Sequence, residues 1–319
     1  MLASMIYTMT LNPCLDRHLE VDDLVLDDAN RIKQETRYPA GKGIDVSVVI
    51  AELGGHSTAL GFVGGYAGLE LEGMLINRGV HCEFTRISGE TRTNIHIFNR
   101  ATGHQTSLNA SGPTIKDAEL GALCHQLRHL DPEPDYLVLS GSVPKGVNAK
   151  IYQQMTSWMH EQKVRVALDS DGEPFREAVR MRPYLIKPNL HELSRYFETD
   201  LRSADVQEIA VRCHHFLELG VEMVVVSMGS RGLLVRTAEI TLRARVPKVE
   251  VLSTIGSGDS VIGGMVCELA RGGSLVDAVR QGAACGTATA MTPGTALCRS
   301  EDVHQLMQQV QVEPLDVIT

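Results

Sequence analysis

The sequence predicts an α/β protein, a three-layer sandwich in which helices cover both faces of a mostly parallel central sheet. Two observations predict it. Short apolar and β-branched runs, each followed by polar or small residues, alternate with longer stretches whose apolar residues recur at helical spacing. The chain has 319 residues, 43% of them hydrophobic, which is enough for one large domain. We therefore expect a single domain over residues 1–319.

The first strand is predicted over residues 5–11, a compact apolar run that stops at Asn12-Pro13, with Asp16 just beyond its end. Other buried strands and the helices between them follow in order. The strands are predicted at 136–139, 164–168, 184–186 and 223–226, and the helices at 116–130, 150–162 and 204–219. This βαβα alternation favours parallel strands, whose carboxyl ends line the ligand site in such sheets.

Two early stretches, residues 17–38 and 92–109, break the alternation. The second has alternating polar and apolar residues followed by Ala101-Thr102-Gly103, which is typical of a β-hairpin. We expect these strands to form a small β-lid over the pocket and to provide the surface of a homodimer.

Composition excludes several partners. A formal net charge of −9 argues against nucleic acid and against an anionic membrane surface. The seven cysteines are scattered without a CxxC pair, as in proteins of a reducing compartment, so we expect a cytoplasmic protein. Residues 1–5 are too short for a secretory signal, and no apolar run approaches the ~18 residues of a membrane span.

The segment 253–260 carries the clearest chemical signal. Gly256, Ser257 and Gly258 stand at the start of a predicted helix, where backbone N–H groups and the helix dipole favour an anion. Asp259 lies in the first turn, where its carboxylate can accept a proton from a hydroxyl held beside that anion. The alternative is structural, with Asp259 as an N-cap and the glycines in a tight turn.

A second motif, Lys187-Pro-Asn189-Leu-His-Glu192, follows the strand at 184–186. Asn189 and Glu192 offer two oxygen atoms on one face of a helical turn, and hard oxygen ligands suit Mg²⁺ carried by a nucleotide. For the motif alone a capping pair, with Asn at the N-cap and Glu three residues on, is the favoured interpretation.

Two further segments are rich in glycine. Ser227, Gly229 and Gly232 lie between two predicted strands, where they either admit a nucleotide or form a plain hairpin turn. Gly41-Lys42-Gly43 leads into a helix that contains Asp45, and it suits the hydroxyls or phosphate of a sugar, although it lacks the spacing of a P-loop.

Arg31 and Arg92 fall in the predicted lid strands, where they either bind a substrate phosphate or remain surface charges. The paired histidines His125/His129 and His214/His215 have no ordered Cys or carboxylate partners, and we interpret them as structural or surface groups. Residues 61–68 are glycine-rich but lack the spacing of a dinucleotide site.

Taken together and in this order, these segments resemble the PfkB (ribokinase-like) carbohydrate kinases. The resemblance runs from Thr10-Leu-Asn-Pro-Cys-Leu-Asp16 to Gly294-Thr295, nearly the full chain. Ala40-Gly-Lys-Gly43, Thr91-Arg92 and Ser140-Gly-Ser-Val-Pro144 look like the branch of phosphofructokinases, 1-phosphofructokinases and tagatose-6-phosphate kinases.

The resemblance implies ATP-dependent phosphorylation of a ketohexose phosphate, with fructose 6-phosphate or fructose 1-phosphate giving fructose 1,6-bisphosphate. It implies that Asp259 is the base and that Gly256, Ser257 and Gly258 form the anion hole, while Asn189 and, through water, Glu192 organise Mg²⁺ and the nucleotide phosphates. The residues implied around ATP are Lys187, Ser227, Gly229 and Gly232. Those implied around the sugar are Asp16, Gly41, Lys42, Asp45 and Ser140, and those around its phosphate are Arg31, Lys42 and Arg92.

The chain departs from the family at two positions. Asp45 stands where the family usually has Asn, and Ser257 where alanine is commoner. Asp45 matters more, because an ionised carboxylate cannot donate a hydrogen bond and adds negative charge near a substrate phosphate. A tagatose-6-phosphate kinase, a kinase of another sugar and a non-catalytic sugar-phosphate sensor are the alternatives.

Overall fold

A computed structural model describes residues 4–130 and 135–317. Residues 1–3, part of the stretch weighed above as a signal, lie outside the described residues. The strands are β1 (Ile6–Thr10), β2 (Cys14–Val21), β3 (Gln34–Ala40), β4 (Thr58–Val63), β5 (His81–Cys82), β6 (Thr85–Arg86), β7 (Arg92–Asn99), β8 (His104–Leu108), β9 (Tyr136–Ser140), β10 (Arg165–Asp169), β11 (Leu185–Ile186), β12 (Met223–Ser227), β13 (Leu233–Arg236), β14 (Thr241–Arg245) and β15 (Gln311–Pro314).

The helices connect and cover these strands. They are α1 (Lys42–Glu52), α2 (Gly65–Ile76), α3 (Asp117–Arg128), α4 (Ile151–Glu161), α5 (Gly172–Ala178), α6 (Leu190–Phe197), α7 (Val206–Glu218), α8 (Ser257–Ala270), α9 (Leu275–Ala290) and α10 (Ser300–Met307). In the described parts of the chain, no helix combines the length and the apolar character needed to cross a membrane.

One large sheet has the strand order β5-β4-β1-β9-β10-β11-β12-β13-β14-β15, and β6 also pairs with β4. The pairs from β5 to β12 are parallel, whereas those from β12 to β15 are antiparallel. The predicted mostly parallel sheet is therefore confirmed.

Helices pack on both faces of this sheet, as the alternation of strand and helix predicted. In β9, Leu137 and Leu139 belong to one core cluster, while Tyr136 and Val138 belong to the other. Successive side chains of a strand point to opposite faces, so the two clusters lie on opposite sides. The first cluster includes residues of α3 to α7, and the second includes residues of α1, α8, α9 and α10.

The early segments form a separate four-stranded sheet with the order β3-β2-β7-β8, here called the small sheet. Strands β2 and β7 run parallel, and the outer pairs are antiparallel. Two details differ from the prediction. Asp16 lies within β2 rather than in a loop after β1, and Arg31 lies exposed in the loop between β2 and β3 rather than in a strand.

The parallel pairing brings the carboxyl ends of the central strands to one edge. Thr10 of β1 pairs with Ser140 of β9, which pairs with Asp169 of β10. Lys187 follows β11 directly. Polar residues from three consecutive strands in the sheet are thereby placed side by side at the edge where such folds bind ligands.

Candidate active site

Helix α8 begins at this edge with an open start. Gly256 precedes it at φ 74°, a left-handed conformation, and no described side chain caps it. A Cβ on Gly256 would lie 2.6 Å from Leu297 Cδ2, and one on Gly258 would lie 2.9 Å from Lys187 Nζ. The first N–H groups of a helix lack intrahelical partners, so this start, with an ammonium beside it, is suited to an anion.

Asp259 is buried in the first turn of α8, beside Asp169. Asp169 ends β10, and its carboxylate lies between two lysines: Lys42 Nζ is 3.2 Å from Oδ1, and Lys187 Nζ is 3.4 Å from Oδ2. The carboxyl groups of Asp259 and Asp169 also lie close enough that each shifts the pKa of the other. Two carboxyls and two ammonium groups thus form one buried network.

The pKa values of these two carboxyls are shifted in opposite directions. Burial raises the pKa of Asp259 to about 7; Asp169 adds to the rise, whereas Lys42 and Lys187 oppose it. Burial also works to raise the pKa of Asp169, but the charges of Lys187 and Lys42 outweigh it and lower that pKa. Asp259 therefore takes up a proton at higher pH than Asp169 does, and a pKa of about 7 is the value expected of a base operating near neutral pH.

Lys42 opens α1 directly after Gly41, whose φ is 135°. Its Nζ lies 3.8 Å from Glu192 Oε1 in addition to its contact with Asp169. Burial acts to lower the pKa of Lys42, but the surrounding carboxylates raise it well above its usual value. Lys42 therefore remains an ammonium group and links α1 to the start of α6.

The start of α6 is a closed capping box. Asn189 Oδ1 accepts hydrogen bonds of 2.9 Å from the N–H groups of His191 and Glu192, and Glu192 Oε2 accepts one of 2.8 Å from the N–H of Asn189. The capping interpretation is therefore confirmed. It also limits the expected metal role: the oxygen of Asn189 is engaged with the backbone, and Glu192 Oε1 is the atom directed toward Lys42.

Asp16 faces the site from the small sheet. Its Oδ1 accepts hydrogen bonds from Asn94 Nδ2 at 2.9 Å and from Cys14 Sγ at 3.3 Å. Burial acts to raise the pKa of Asp16, but the nearby His96 and the Asn94 amide lower it overall. The residue is thus an anion whose other oxygen, Oδ2, is the one left for a ligand.

Asp45 lies in the first turn of α1, with Oδ2 3.9 Å from the position of a Cβ on Gly256. Burial raises the pKa of Asp45 well above its usual value, and the charges of Asp259 and Asp16 raise it further. A neutral carboxyl has an O–H donor. The raised pKa of Asp45 favours this neutral form, which weakens the objection that an ionised residue here could only accept.

Arg92, the first residue of β7, is held by neutral groups. Its Nε and Nη2 donate to Asn12 O at 3.2 and 2.9 Å, and its Nη1 donates to Ala110 O at 3.0 Å. Carbonyl oxygens fix the guanidinium without neutralising its charge. The charge stays available for an anion.

A cavity of about 540 Å³ opens beyond the ends of β9 and β10, lined by Lys42, Gly141, Ser142, Ser170 and Glu192 among others. Ser140, expected to contact the sugar, is fully buried, and its Oγ donates to Asp169 O at 3.4 Å. Ser140 therefore stabilises the end of β9, whereas Ser142, the other serine of the Ser140–Pro144 motif, lines the cavity. Ser142 was missed although it stands in the quoted motif.

Asp169 is the more important residue of this site that the sequence analysis did not identify. The predicted strand at 164–168 ends directly before it, and a carboxylate at the carboxyl end of a buried parallel strand is a signal in itself. Its role became evident only with the two lysines in place, which come from segments distant in sequence.

The segment from Ser227 to Gly232 connects β12 to β13, which pair as an antiparallel hairpin. Ser227 pairs with Asn189 in a parallel bridge, so it adjoins the start of α6. Gly229 is exposed, and a Cβ there would meet nothing within 4 Å, whereas one on Gly232 would lie 1.9 Å from Ala244 O. Gly232 is therefore required for the packing of β13 on β14, while Ser227 and Gly229 border open space.

An α/β fold with a buried carboxyl beside an open helix start is suited to an enzyme that activates a hydroxyl next to a bound anion. The family model for pfkB family carbohydrate kinases matches residues 9–302. The chain belongs to this family and is an ATP-dependent sugar kinase.

Named relatives cover almost the whole chain. The chain is 37% identical over 311 residues to the 1-phosphofructokinase of Bacillus subtilis (strain 168), covering 98% of this chain and 100% of the relative. It is 33% identical to the D-tagatose-1-phosphate kinase of Bacillus licheniformis, covering 98% and 100%. A crystal structure of phosphofructokinase-2 from Escherichia coli in complex with substrates and products aligns with a TM-score of 0.89 at 32% identity, covering 95% of this chain and 98% of that one.

Proposed function

We propose that the protein transfers the γ-phosphoryl group of ATP to fructose 1-phosphate or fructose 6-phosphate, giving fructose 1,6-bisphosphate and ADP. The observation that carries the proposal is Asp259, a buried carboxyl with a pKa of about 7 at the open start of α8. The similarity to 1-phosphofructokinases at 36–37% identity supports a fructose phosphate as acceptor.

Asp259 acts as the base. It accepts the proton of the acceptor hydroxyl while the hydroxyl oxygen bonds to the γ-phosphorus and the bond to the bridging oxygen of ADP breaks. Asp169, held between Lys42 and Lys187, keeps the Asp259 side chain oriented toward the site. No covalent intermediate on the protein is needed.

The transferring phosphoryl group lies at the start of α8. The N–H groups from Gly256 to Gly258 and the Lys187 ammonium stabilise its negative charge, and Ser257 supplies the same backbone donor as the commoner alanine. ATP extends from there toward Ser227 and Gly229. Glu192 Oε1 would hold the hydration shell of a Mg²⁺ ion that neutralises the ATP phosphates, consistent with the preference of Mg²⁺ for oxygen and water.

The acceptor lies between α1 and the small sheet. Asp16 Oδ2 and the carboxyl of Asp45 bind its hydroxyls, and the backbone of Gly41 borders it. Arg92 and Lys42, with Ser142 at the cavity, bind its existing phosphate. Arg31 is exposed in the loop between β2 and β3, so its contact with the phosphate would require that loop to fold over the site.

The small sheet serves as the lid of this site and as the contact surface of a homodimer in the cytoplasm. Strand β8 is exposed along its length, which leaves an edge free for a second copy. A tetrameric form of phosphofructokinase-2 from Escherichia coli is among the similar structures. Sedimentation of the purified chain at micromolar concentration tests this, and a monomer would exclude the dimer.

A second candidate is phosphorylation of a tagatose phosphate. It is favoured by the similarity to the D-tagatose-1-phosphate kinase and, at 31% identity, to tagatose-6-phosphate kinases of Staphylococcus epidermidis. The two candidate sugars differ at one hydroxyl, and the same base and anion site serve both.

The deciding experiment measures ADP release from magnesium-ATP with fructose 1-phosphate, fructose 6-phosphate, tagatose 1- and 6-phosphate, fructose and ribose. We expect one ketohexose phosphate to dominate, and kcat/KM to fall tenfold per pH unit below about 7 because Asp259 becomes protonated. Asp259→Asn should lower kcat by about 10²–10⁴-fold.

Asp277→Asn is the matched control, because Asp277 occupies the first turn of α9 with an exposed side chain. It should leave kcat unchanged. An Asp259→Asn protein that turns over as fast as the control would refute the assignment of the base, and a folded wild-type protein that binds ATP but is inactive on every acceptor would favour a sensor.

A further inference from the structure

The small sheet contains three side chains that the proposed kinase reaction does not explain as a group. Asp16 and His18 lie on β2 and His96 lies on β7, where His18 and His96 are paired neighbours in the parallel register. One candidate ligand atom from each of the three lies within 4.8 Å of the other two. Asp16 and His96 are each only 5% exposed, so the cluster is part of the built interior of the sheet.

The surrounding hydrogen bonds orient these side chains from outside. His96 Nδ1 contacts Ser107 Oγ of β8 at 2.9 Å, and Asp16 Oδ1 accepts from Asn94 Nδ2 at 2.9 Å. His18 Nε2 contacts Thr295 Oγ1 at 3.0 Å, which fixes its ring against the segment before α10. Hydroxyl and amide partners that fix ring and carboxylate orientation in this way are characteristic of the outer shell of metal sites.

One atom in this cluster is left unsatisfied. His96 Nε2 is buried and, among the described residues, makes no aligned hydrogen bond, although Asp16 Oδ2 is 3.4 Å away. A buried polar atom without a partner costs about 1–3 kcal/mol, which favours a ligand that supplies the missing contact. The atom is directed at the carboxylate oxygen that Asn94 and Cys14 do not use.

We propose that Asp16 Oδ2, His96 Nε2 and an imidazole nitrogen of His18 form a binding site for a divalent late first-row transition metal ion, with Zn²⁺ as the representative. Two imidazoles and one carboxylate are a common set of three protein ligands for Zn²⁺, with bond lengths of about 2.0–2.2 Å. Such bonds place ligand atoms about 3–3.5 Å apart. The 3.4 Å between Asp16 and His96 already meets this spacing. His18 stacks on His96 with ring centroids 4.5 Å apart, so its ring must turn out of that stack to bring a nitrogen to the ion.

The site has a consequence for the reaction, which rests on the proposed function. Asp16 Oδ2 is the atom assigned above to an acceptor hydroxyl, so a metal ion bound there excludes that contact. The ion is therefore an inhibitor that competes with the sugar phosphate, and it is distinct from the Mg²⁺ associated with ATP near Glu192.

The test measures Zn²⁺ binding to the metal-stripped full-length protein, without nucleotide, by competition with a chromogenic chelator. We expect one tight site per chain. Loss of a residue in the outer shell of a metal site costs about 10–100-fold in affinity, so His18→Gln and His96→Gln, which remove ligands, should each weaken binding by at least about 100-fold.

The matched control is the double variant His125→Gln/His129→Gln. These exposed histidines lie close together at the end of α3 with ring centroids 4.3 Å apart, so they are the obvious adventitious site. The control should retain the tight site. If its binding disappears while His18→Gln and His96→Gln bind as the wild type does, the proposal is overturned.

Thermal melts of each variant accompany the titrations, and if the buried His96→Gln does not fold, the half-buried His18→Gln decides.

Fructose 1-phosphate or 6-phosphate should raise the apparent dissociation constant for Zn²⁺. A tight site that depends on the two histidines but ignores sugar phosphates would confirm the metal site while contradicting the acceptor role of Asp16. Absence of kinase activity would leave the binding result unchanged, so the two failures are distinguishable.

Discussion

Helices α6 and α8 both start at the carboxyl edge of the sheet, yet one start is closed and the other is open. At α6, Asn189 and Glu192 satisfy each other's backbone N–H groups in a capping box. At α8, Gly256 takes the capping position, and no described side chain caps the helix. A side-chain cap uses the N–H groups that an anion would otherwise bind. The open start is therefore the one suited to the phosphoryl group in the proposed reaction, and the closed one stabilises the fold.

Among the tests that compare the two helix starts, the largest effect is expected from partly blocking the open one. In Gly258→Ala the new Cβ would lie 2.9 Å from Lys187 Nζ and displace the ammonium from the anion site. We expect kcat to fall by about 10–100-fold, somewhat less than the loss of a direct oxyanion donor. Gly73→Ala in α2 is the control, because a Cβ there meets nothing within 4 Å; it should leave kcat intact and add up to about 1 kcal/mol of stability.

The second-largest effect concerns the free energy of unfolding, which is reduced by burying the Asp259 carboxylate at the open start. The pKa of Asp259 is raised in the folded state, so its contribution is fully present below the unfolded value near 3.8 and is lost as pH rises through about 7. Asp259→Asn should therefore stabilise the protein at pH 8 by about 2 kcal/mol, and by less at pH 5. Urea unfolding at both pH values measures this, and an equal change at the two would contradict the buried, elevated carboxyl.

The smallest effect is expected at the closed start. Asn189→Ala removes a cap that accepts two N–H groups and should cost about 1 kcal/mol of unfolding free energy. Asp205→Ala, which removes the N-cap of α7, is the control and should cost a similar amount. If Asn189→Ala lowers kcat far more than Asp205→Ala does, the start of α6 contributes directly to nucleotide binding.

The layered fold was predictable because it follows from local patterns. The buried strand runs at 136–139, 164–168 and 223–226 agree with β9, β10 and β12 to within one or two residues. Asp259, Lys42 and the glycines before α8 were identified for a similar reason, since each stands at the beginning of an element where short-range chemistry is visible in sequence.

The features of the site that depend on packing across the sheet could not be predicted from the sequence. Asp169 matters because Lys42 and Lys187 meet on either side of it, and no local pattern reports that meeting. The raised pKa of Asp45 likewise depends on its burial near Asp16 and Asp259. Contact with Ala244 O gives Gly232 a structural reason of its own, so its place beside ATP stays a prediction.

Asp16 belongs to the small sheet, whereas Asp259 belongs to a helix on the large one. In the proposed reaction the base therefore belongs to one scaffold, whereas the acceptor is bound by groups from two, the small sheet and α1. Substitutions that reshape β2 and β7 would alter the acceptor contact of Asp16 while Asp259 and the start of α8 stay in place. Changes in these strands would then shift the accepted sugar without rebuilding the catalytic centre.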